Sequence, residues 1–303
     1  MKYLFNSILV LALIAAMFSC EKSDNTYSGG EYIGFADSTA LCPVYEDGRE
    51  FEIAVAATNV VSYDRVYAVE IIDSVSTAIE GMHYSLPSNT VTIKAGQSSS
   101  SVKIKGIYEN LESTDSIGVR LQIASRNAAE WELYEASQRV DVSFAKVCPF
   151  DINAFDGYII LTSTYIYEFM YGISQKMVKA KVDPDSENTI IIEDWLADGD
   201  TFRDNYDLRL SFNTDDPLLP ALEMEDGQII ANTRQLFDIA YGDGWVRTNI
   251  NAYNFSFYNM CQGFAYLVHD LYVEGVGTMG TYSCIFEWIS DAEADYILNN
   301  GLN

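Results

Sequence analysis

Apolar and polar residues alternate with a period of two along most of this chain, which lays one face of each segment against a core and predicts strands. In residues 51–55, Phe51, Ile53 and Val55 share a face. Segments 66–72 and 90–94 follow, the second closed by the turn Ala95-Gly96-Gln97. In 102–107, Val102 and Ile104 oppose Lys103 and Lys105, and in 117–123 Val119, Leu121 and Ile123 point inward. Segment 140–144 ends the set. Seven or so short strands separated by turns predict an immunoglobulin-like β-sandwich over residues 31–147.

The boundary falls at Cys148-Pro149 and Asn153, and a second run of strands is expected over 148–303. The segments are 158–167, 176–182, 190–192, 208–212, 228–231, 246–257, 264–273 and 282–289, with Val178, Ala180 and Val182 set against Lys179 and Lys181 in the second. Consecutive strands joined by short acidic or glycine-containing turns predict an antiparallel barrel or sandwich of meander type. A short helix closes the chain: Ser290 and Glu293 form a capping box, Ala292, Ala294, Ile297 and Leu298 follow, and Gly301 stops it. The fold class is therefore all-β, in two domains.

Ahead of these strands the pattern changes. Lys2, an apolar run from Tyr3 to Phe18, Ser19 and Cys20 precede the polar stretch 21–30. The run is too short to cross a bilayer of ~30 Å. It is similar to a bacterial lipoprotein signal, in which residues 1–19 are removed and the Cys20 thiol carries lipid. That resemblance implies an outer-membrane lipoprotein, on the cell-surface or periplasmic face, anchored in lipid through Cys20. Residues 20–30 then form a tether reaching roughly 17 Å as a random coil. Glu21 and Asp24 resemble a surface-export signal, interrupted by Lys22. An exported setting permits disulfides. Pairing Cys42 with Cys148 and Cys261 with Cys284 keeps each bridge within one half, and free buried thiols account for the four cysteines equally well.

Charge narrows the partners. There are 44 acidic residues against 18 basic ones, and a net charge of −26. Residues 149–303 hold 25 and 7 of these, residues 30–148 hold 17 and 9. Phosphate polymers would be repelled, so nucleic acid is excluded as a partner, while neutral glycans, calcium and other proteins stay open.

The segment Ser76-Thr77-Ala78-Ile79-Glu80-Gly81-Met82-His83-Tyr84 resembles the Calx-beta signature, as do the strand, Ala95-Gly96 turn, strand and acidic loop 109–115 that follow. Gly118-Val119-Arg120-Leu121 fits the family's next strand. The chain is also similar to Calx-beta-like modules in Bacteroidetes-type lipoproteins of glycan-utilisation systems. The resemblance implies that Glu46, Asp47, Glu109, Glu112 and Asp115 are the candidate calcium ligands. His83 stands where that family has Asp, and Asn110 interrupts the acidic loop, whereas Ca²⁺ takes six to eight oxygens. A structural module with solvated acidic loops is the other reading. Asp37-Ser38-Thr39, Asp73-Ser74-Val75 and Asp115-Ser116-Ile117 resemble the O-glycosylation sequon of such exported proteins, which makes Ser38, Ser74 and Ser116 candidate sites.

Aromatic residues are the best functional lead in the second half. Tyr253, Phe255 and Phe257 alternate on one face, and Tyr158, Tyr165, Tyr167, Tyr171 and Tyr241 lie near strand ends or in loops. Sugars stack their C–H faces on exposed rings, and Asn, Asp and Arg read hydroxyls. Trp195 with Asp194, and Trp245 with Asp243 and Arg247, have that mixture and are the candidate glycan-binding residues. Core packing is the competing use of any one ring. The acids of Asp183-Pro184-Asp185-Ser186-Glu187 and Asp198-Gly199-Asp200 read as turns. With two histidines, His83 and His269, and neither a G-x-S-x-G nor an H-E-x-x-H pattern, no residue is nominated as catalytic. The expected function is a non-catalytic envelope lipoprotein binding polysaccharide or oligosaccharide. A structural or adhesion subunit binding a partner protein is the alternative, with a glycan hydrolase third.

Overall fold

The structure is a computed structural model that describes residues 32–124, 138–169, 174–193, 195 and 206–302. The signal segment, Cys20, the tether, Tyr171, Asp194, Asp198 and Asp200 lie outside the described residues. The protein is nearly all β, and its buried residues form two clusters, one running from Ile33 to Phe144 and one from Phe155 to Phe286.

The first cluster fills a sandwich. One sheet has the order β1 (Ile33–Phe35), β3 (Phe51–Ala57), β7 (Ser99–Gly106), β5 (Tyr84–Ser85). The other has the order β2 (Thr39–Tyr45), β9 (Arg139–Val147), β8 (Gly118–Ala124), β4 (Arg65–Ile71), β6 (Thr90–Ile93). Ile53 and Val55, Val102 and Ile104, and Val119, Leu121 and Ile123 all face the core, as the alternation predicts. Each such burial contributes about 1.5–3 kcal/mol. Strand β2 escapes the sequence reading because Pro43 sits in it. It pairs on one side only, in parallel with β9, and an edge strand tolerates a residue with no N–H.

The second cluster fills a closed antiparallel barrel of eight strands. In chain order its strands are β10 (Gly157–Ser163), β11 (Gln175–Val182), β12 (Thr189–Glu193), β13 (Leu208–Asn213) and β14 (Ala221–Glu223), then β17 (Phe257–Asn259), β18 (Phe264–Val273) and β19 (Gly277–Trp288). Each pairs with the next, and β19 closes the ring on β10 over Ile159–Ser163. A hairpin of β15 (Gln228–Asn232) and β16 (Trp245–Ile250) attaches to the second half of β18. Aromatic rings plug the lumen. Phe155 stacks on Phe212 at 4.3 Å and meets Trp288 edge-on at 4.8 Å, and Trp288 Nε1 donates to the Phe155 carbonyl.

Two expected strands are broken. Segment 158–167 ends at Ser163, whose Oγ accepts from the Tyr165 N–H and caps the helix α1 (Thr164–Phe169). Segment 246–257 stops at Ile250 and resumes as β17, because Asn251 turns the chain. A second short helix, α2 (Thr233–Phe237), follows β15, capped by Asn232. The closing helix α3 (Asp291–Asn300) has the expected ends: Ser290 accepts from Glu293 N–H, and the Gly301 N–H returns to Ile297. Of the apolar residues along it, Ala294 is buried and Leu298 exposed.

Neither cysteine pairing within one half forms. Cys148, in the linker after β9, bonds to Cys261, in the turn after β17. Cys42 and Cys284 are free and buried, one in each core. They lie on the inward faces of β2 and β19, so neither can reach a partner at the domain junction.

Candidate functional site

Asn251 builds the exposed loop of the barrel. Its Nδ2 donates to both carboxylate oxygens of Asp270 on β18, while its Oδ1 accepts from Tyr253 N–H and Asn254 Nδ2. At the far end, buried Ser256 Oγ accepts from Val268 N–H, and the Asn251 N–H donates to the Val268 carbonyl. Six residues thus replace a partner strand across the middle of β18, and they carry Tyr253 and Phe255 outward. Tyr253 is 95% exposed and Phe255 55%.

Phe257, the first residue of β17, extends the same face. Phe255 stacks parallel to it at 6.1 Å, Phe264 meets it edge-on at 5.9 Å, and Tyr266 lies 5.7 Å away. Phe264 and Tyr266 project from the outer face of β18, where Ala265 and Leu267 fill the lumen. Ile285, opposite Tyr266 on β19, is exposed beside them. Asp270, held by Asn251 and Thr281 Oγ1, gives this apolar face a polar flank. Phe255, Phe257, Phe264 and Tyr266 thus form one outward aromatic patch, with Tyr253 exposed on the adjoining loop and fixed polar groups alongside. Phe264 and Tyr266 are absent from the aromatic candidates that the sequence nominates. Their signal lies in residues 264–268, which are apolar or aromatic on both faces, whereas a barrel strand has only one buried face.

The sequence candidates fare differently. Trp195 is fully buried, stacked on Tyr165 at 6.2 Å and edge-on to His269 at 5.5 Å. It is a lumen residue and offers no surface to a sugar, because it packs against Tyr165 and His269 inside the barrel. Trp245 is half-buried against Tyr206, next to an ion pair between Asp243 and Arg247 at 2.6 Å. Asp183 lies buried in the β11–β12 turn, where its Oδ1 accepts from Asp185 N–H.

Two of the five acids of the Calx-beta-like loops are engaged by groups of the chain itself. Asp47 is bound by Arg49, Asp115 accepts from the Glu112 N–H, and Asn110 Nδ2 donates to the Met82 carbonyl. Lys146 lies 4.4 Å over the Tyr108 ring, next to Glu109, and donates to the Leu111 carbonyl. A fixed ammonium there opposes a second cation. Among the described residues, no three His, Cys, Asp or Glu side chains are grouped to hold a metal ion.

His269 and Cys284 also come together, inside the lumen. His269 Nδ1 lies 2.8 Å from Thr248 Oγ1 and Nε2 lies 3.5 Å from Cys284 Sγ. Burial pulls the imidazole down to about 4, against a smaller opposing effect of Asp270, and pushes the thiol up to about 12. Both groups are neutral near pH 7, so the pair lacks the thiolate of a nucleophilic dyad and acts as a polar core.

A family model for a domain of unknown function, DUF4984, matches residues 133–300, more than half of the chain. The chain belongs to this family. The DUF4984 match takes in β9, the linker, the whole barrel and α3, so it includes one strand that pairs in the sandwich. No curated protein matches this DUF4984 chain. Among solved structures, a protein of unknown function from Bacteroides ovatus is 12% identical, covering 84% of this chain and 89% of its own, with a TM-score of 0.36. An auxiliary nutrient binding protein from Bacteroides thetaiotaomicron is 15% identical, with coverages of 82% and 89% and a TM-score of 0.30. The apo form of the Calx CBD1 domain is 14% identical over 39% of this chain and 98% of its own, with a TM-score of 0.29.

Proposed function

We propose that this protein is a non-catalytic lipoprotein of the outer membrane, anchored through Cys20, whose barrel binds a neutral glycan on the face formed by Tyr253, Phe255, Phe257, Phe264 and Tyr266. The observation that carries this reading is the exposure of the first two rings. Apolar rings left in water on a folded surface cost free energy that a ligand recovers. Flat rings suit the C–H faces of pyranose sugars, and Asp270 with Asn251 supplies hydroxyl partners at one side. The net charge of −26 favours an uncharged polymer over an acidic one. The sandwich serves as a spacer between tether and barrel, and the exposed Ser38, Ser74 and Ser116 on it are open to O-glycosylation.

Native gels containing soluble starch, xyloglucan, galactomannan, barley β-glucan or yeast mannan test the reading on the full chain in detergent. One polysaccharide is expected to retard the protein, and Phe255→Ala to abolish the retardation. No retardation on any gel turns the platform into a protein-binding surface, the adhesion reading.

A further inference from the structure

The sandwich and the barrel meet along the linker after β9, where a cleft of about 600 Å³ opens. The turn between β2 and β3, with Tyr45, Asp47 and Arg49, forms one wall. Pro217, Pro220 and Phe257 form the other. The Cys148–Cys261 disulfide lines the cleft and ties the linker to the barrel wall. Small-ligand sites favour such domain junctions, where two rigid walls converge.

The sandwich wall has a defined chemistry. The Arg49 guanidinium lies 4.1 Å from the centroid of the Tyr45 ring, and its Nε and Nη2 donate to the Asp47 carboxylate at 2.9 and 2.6 Å. Gly48 turns the chain between them with φ +66°, a value that side-chain-bearing residues rarely adopt. Arg49 and Asp47 keep 61% and 53% of their side-chain surface exposed, so each has hydrogen-bonding capacity left. N–H donors and carboxylate acceptors stand side by side with no net charge. Adjacent hydroxyls, which both donate and accept, match that pair. Glu46 and Lys146 also line the cleft and add one charge of each sign, so its lining stays neutral overall, as suits an uncharged ligand.

Phe257 belongs both to the cleft and to the aromatic face, where it contacts Phe255, Phe264 and Tyr266. The stacking surface therefore continues into the junction. We propose that the cleft is a second sugar subsite, so that one neutral glycan chain crosses the barrel face and ends between the domains, read by Tyr45, Asp47 and Arg49. This rests on the glycan reading of the barrel face, and it adds the sandwich as a binding partner in its own right.

Oligosaccharides of two and six sugars, cut from whichever polysaccharide retards the protein, test this by calorimetry on the full chain in detergent. The hexasaccharide is expected to bind at least ~10-fold more tightly than the disaccharide, since it alone spans both subsites. Arg49→Ala is expected to remove ~10-fold of the hexasaccharide affinity, the loss of one hydrogen bond to a charged group, and to leave the disaccharide unchanged. Phe255→Ala weakens both. Arg49 is exposed, and an unchanged circular dichroism spectrum shows that its variant folds. Hexasaccharide binding that is the same in Arg49→Ala as in the unmodified chain, with Phe255→Ala still defective, overturns the cleft subsite alone. Failure of every polysaccharide to bind overturns both readings.

Discussion

On the outer face of the sandwich, charges answer charges across neighbouring strands. Lys103 reaches Glu50 and Glu52 between β7 and β3, and Arg120 forks onto Asp141 between β8 and β9. On the outer face of the barrel, β17 and β18 carry Phe257, Phe264 and Tyr266 at the equivalent outward positions, with no cation among them. The cores differ as well. That of the sandwich is mostly aliphatic, with Phe35, Tyr84 and Phe144 as its buried rings, whereas the barrel encloses Trp195 together with the polar His269 and Thr248. A sheet whose outward residues neutralise one another is finished as a support. A sheet whose outward residues are rings leaves apolar surface in water.

The disulfide gives the largest handle on this contrast. Its two cysteines are 113 residues apart, and the loop they close contains most of the barrel and none of the sandwich. Loop-entropy arguments put its contribution at about 4–5 kcal/mol for that length. Two separate cores predict two calorimetric transitions. Replacing Cys148 and Cys261 together with Ser is expected to lower the barrel transition by roughly 10–20 °C and leave the sandwich transition near its place. Equal shifts in both would show that the domains unfold as one unit, and the contrast drawn above would fail.

The pH response of the barrel comes next in size. His269 is buried and neutral, with an imidazole held down to about 4 rather than the usual 6.5. Between these values the unfolded chain takes up a proton that the native barrel refuses. Its contribution to stability is therefore intact above pH 6.5 and falls as the pH drops toward 4, by up to about 3 kcal/mol. Calorimetry of the barrel transition at pH 7 and pH 4.5 measures this fall. In His269→Gln the fall over that interval is expected to shrink sharply, and an unchanged pH dependence would mean that other groups carry it. The exposed carboxylates lowered by cation partners, such as Asp141 beside Arg120, lose their contribution only at lower pH.

How far the sequence reveals each half follows from the same contrast. In the sandwich, lysines alternate with valine and isoleucine in residues 102–105, so the period of two is clean and the inward face reads directly. In the barrel, aromatic rings on the outer face of β18 and aliphatic residues on its inner face blur the period, and the outward Phe264 and Tyr266 pass for core. Trp195 misleads in the opposite sense: the acids beside it in sequence, Glu193 and Asp194, suggest a loop residue, while packing on Tyr165 and His269 buries it. Barrel closure joins residues as far apart as Ile159 and Trp288, and no local pattern encodes that pairing. The disulfide is illegible for a related reason, since four cysteines allow three connectivities and spacing does not choose among them. The turn at Asn251 was readable in principle, because Asn hydrogen-bonds its own backbone two residues on.

The smallest effect is expected where the sandwich depends on surface charge. Arg120 and Asp141 face each other directly in the β8–β9 register, in a two-pronged pair, and this guanidinium holds the Asp141 carboxyl below the usual carboxylate range. Both side chains are partly in water, so solvent and salt screen most of the attraction. Arg120→Ala is expected to cost about 0.5–1 kcal/mol in low salt and less in molar salt, with only the sandwich transition moving. If the barrel transition moved instead, the charged face of β8 and β9 would be supporting the other domain. If salt left the cost unchanged, the arginine would be acting through the packing of its aliphatic stem across the sheet and not through its charge.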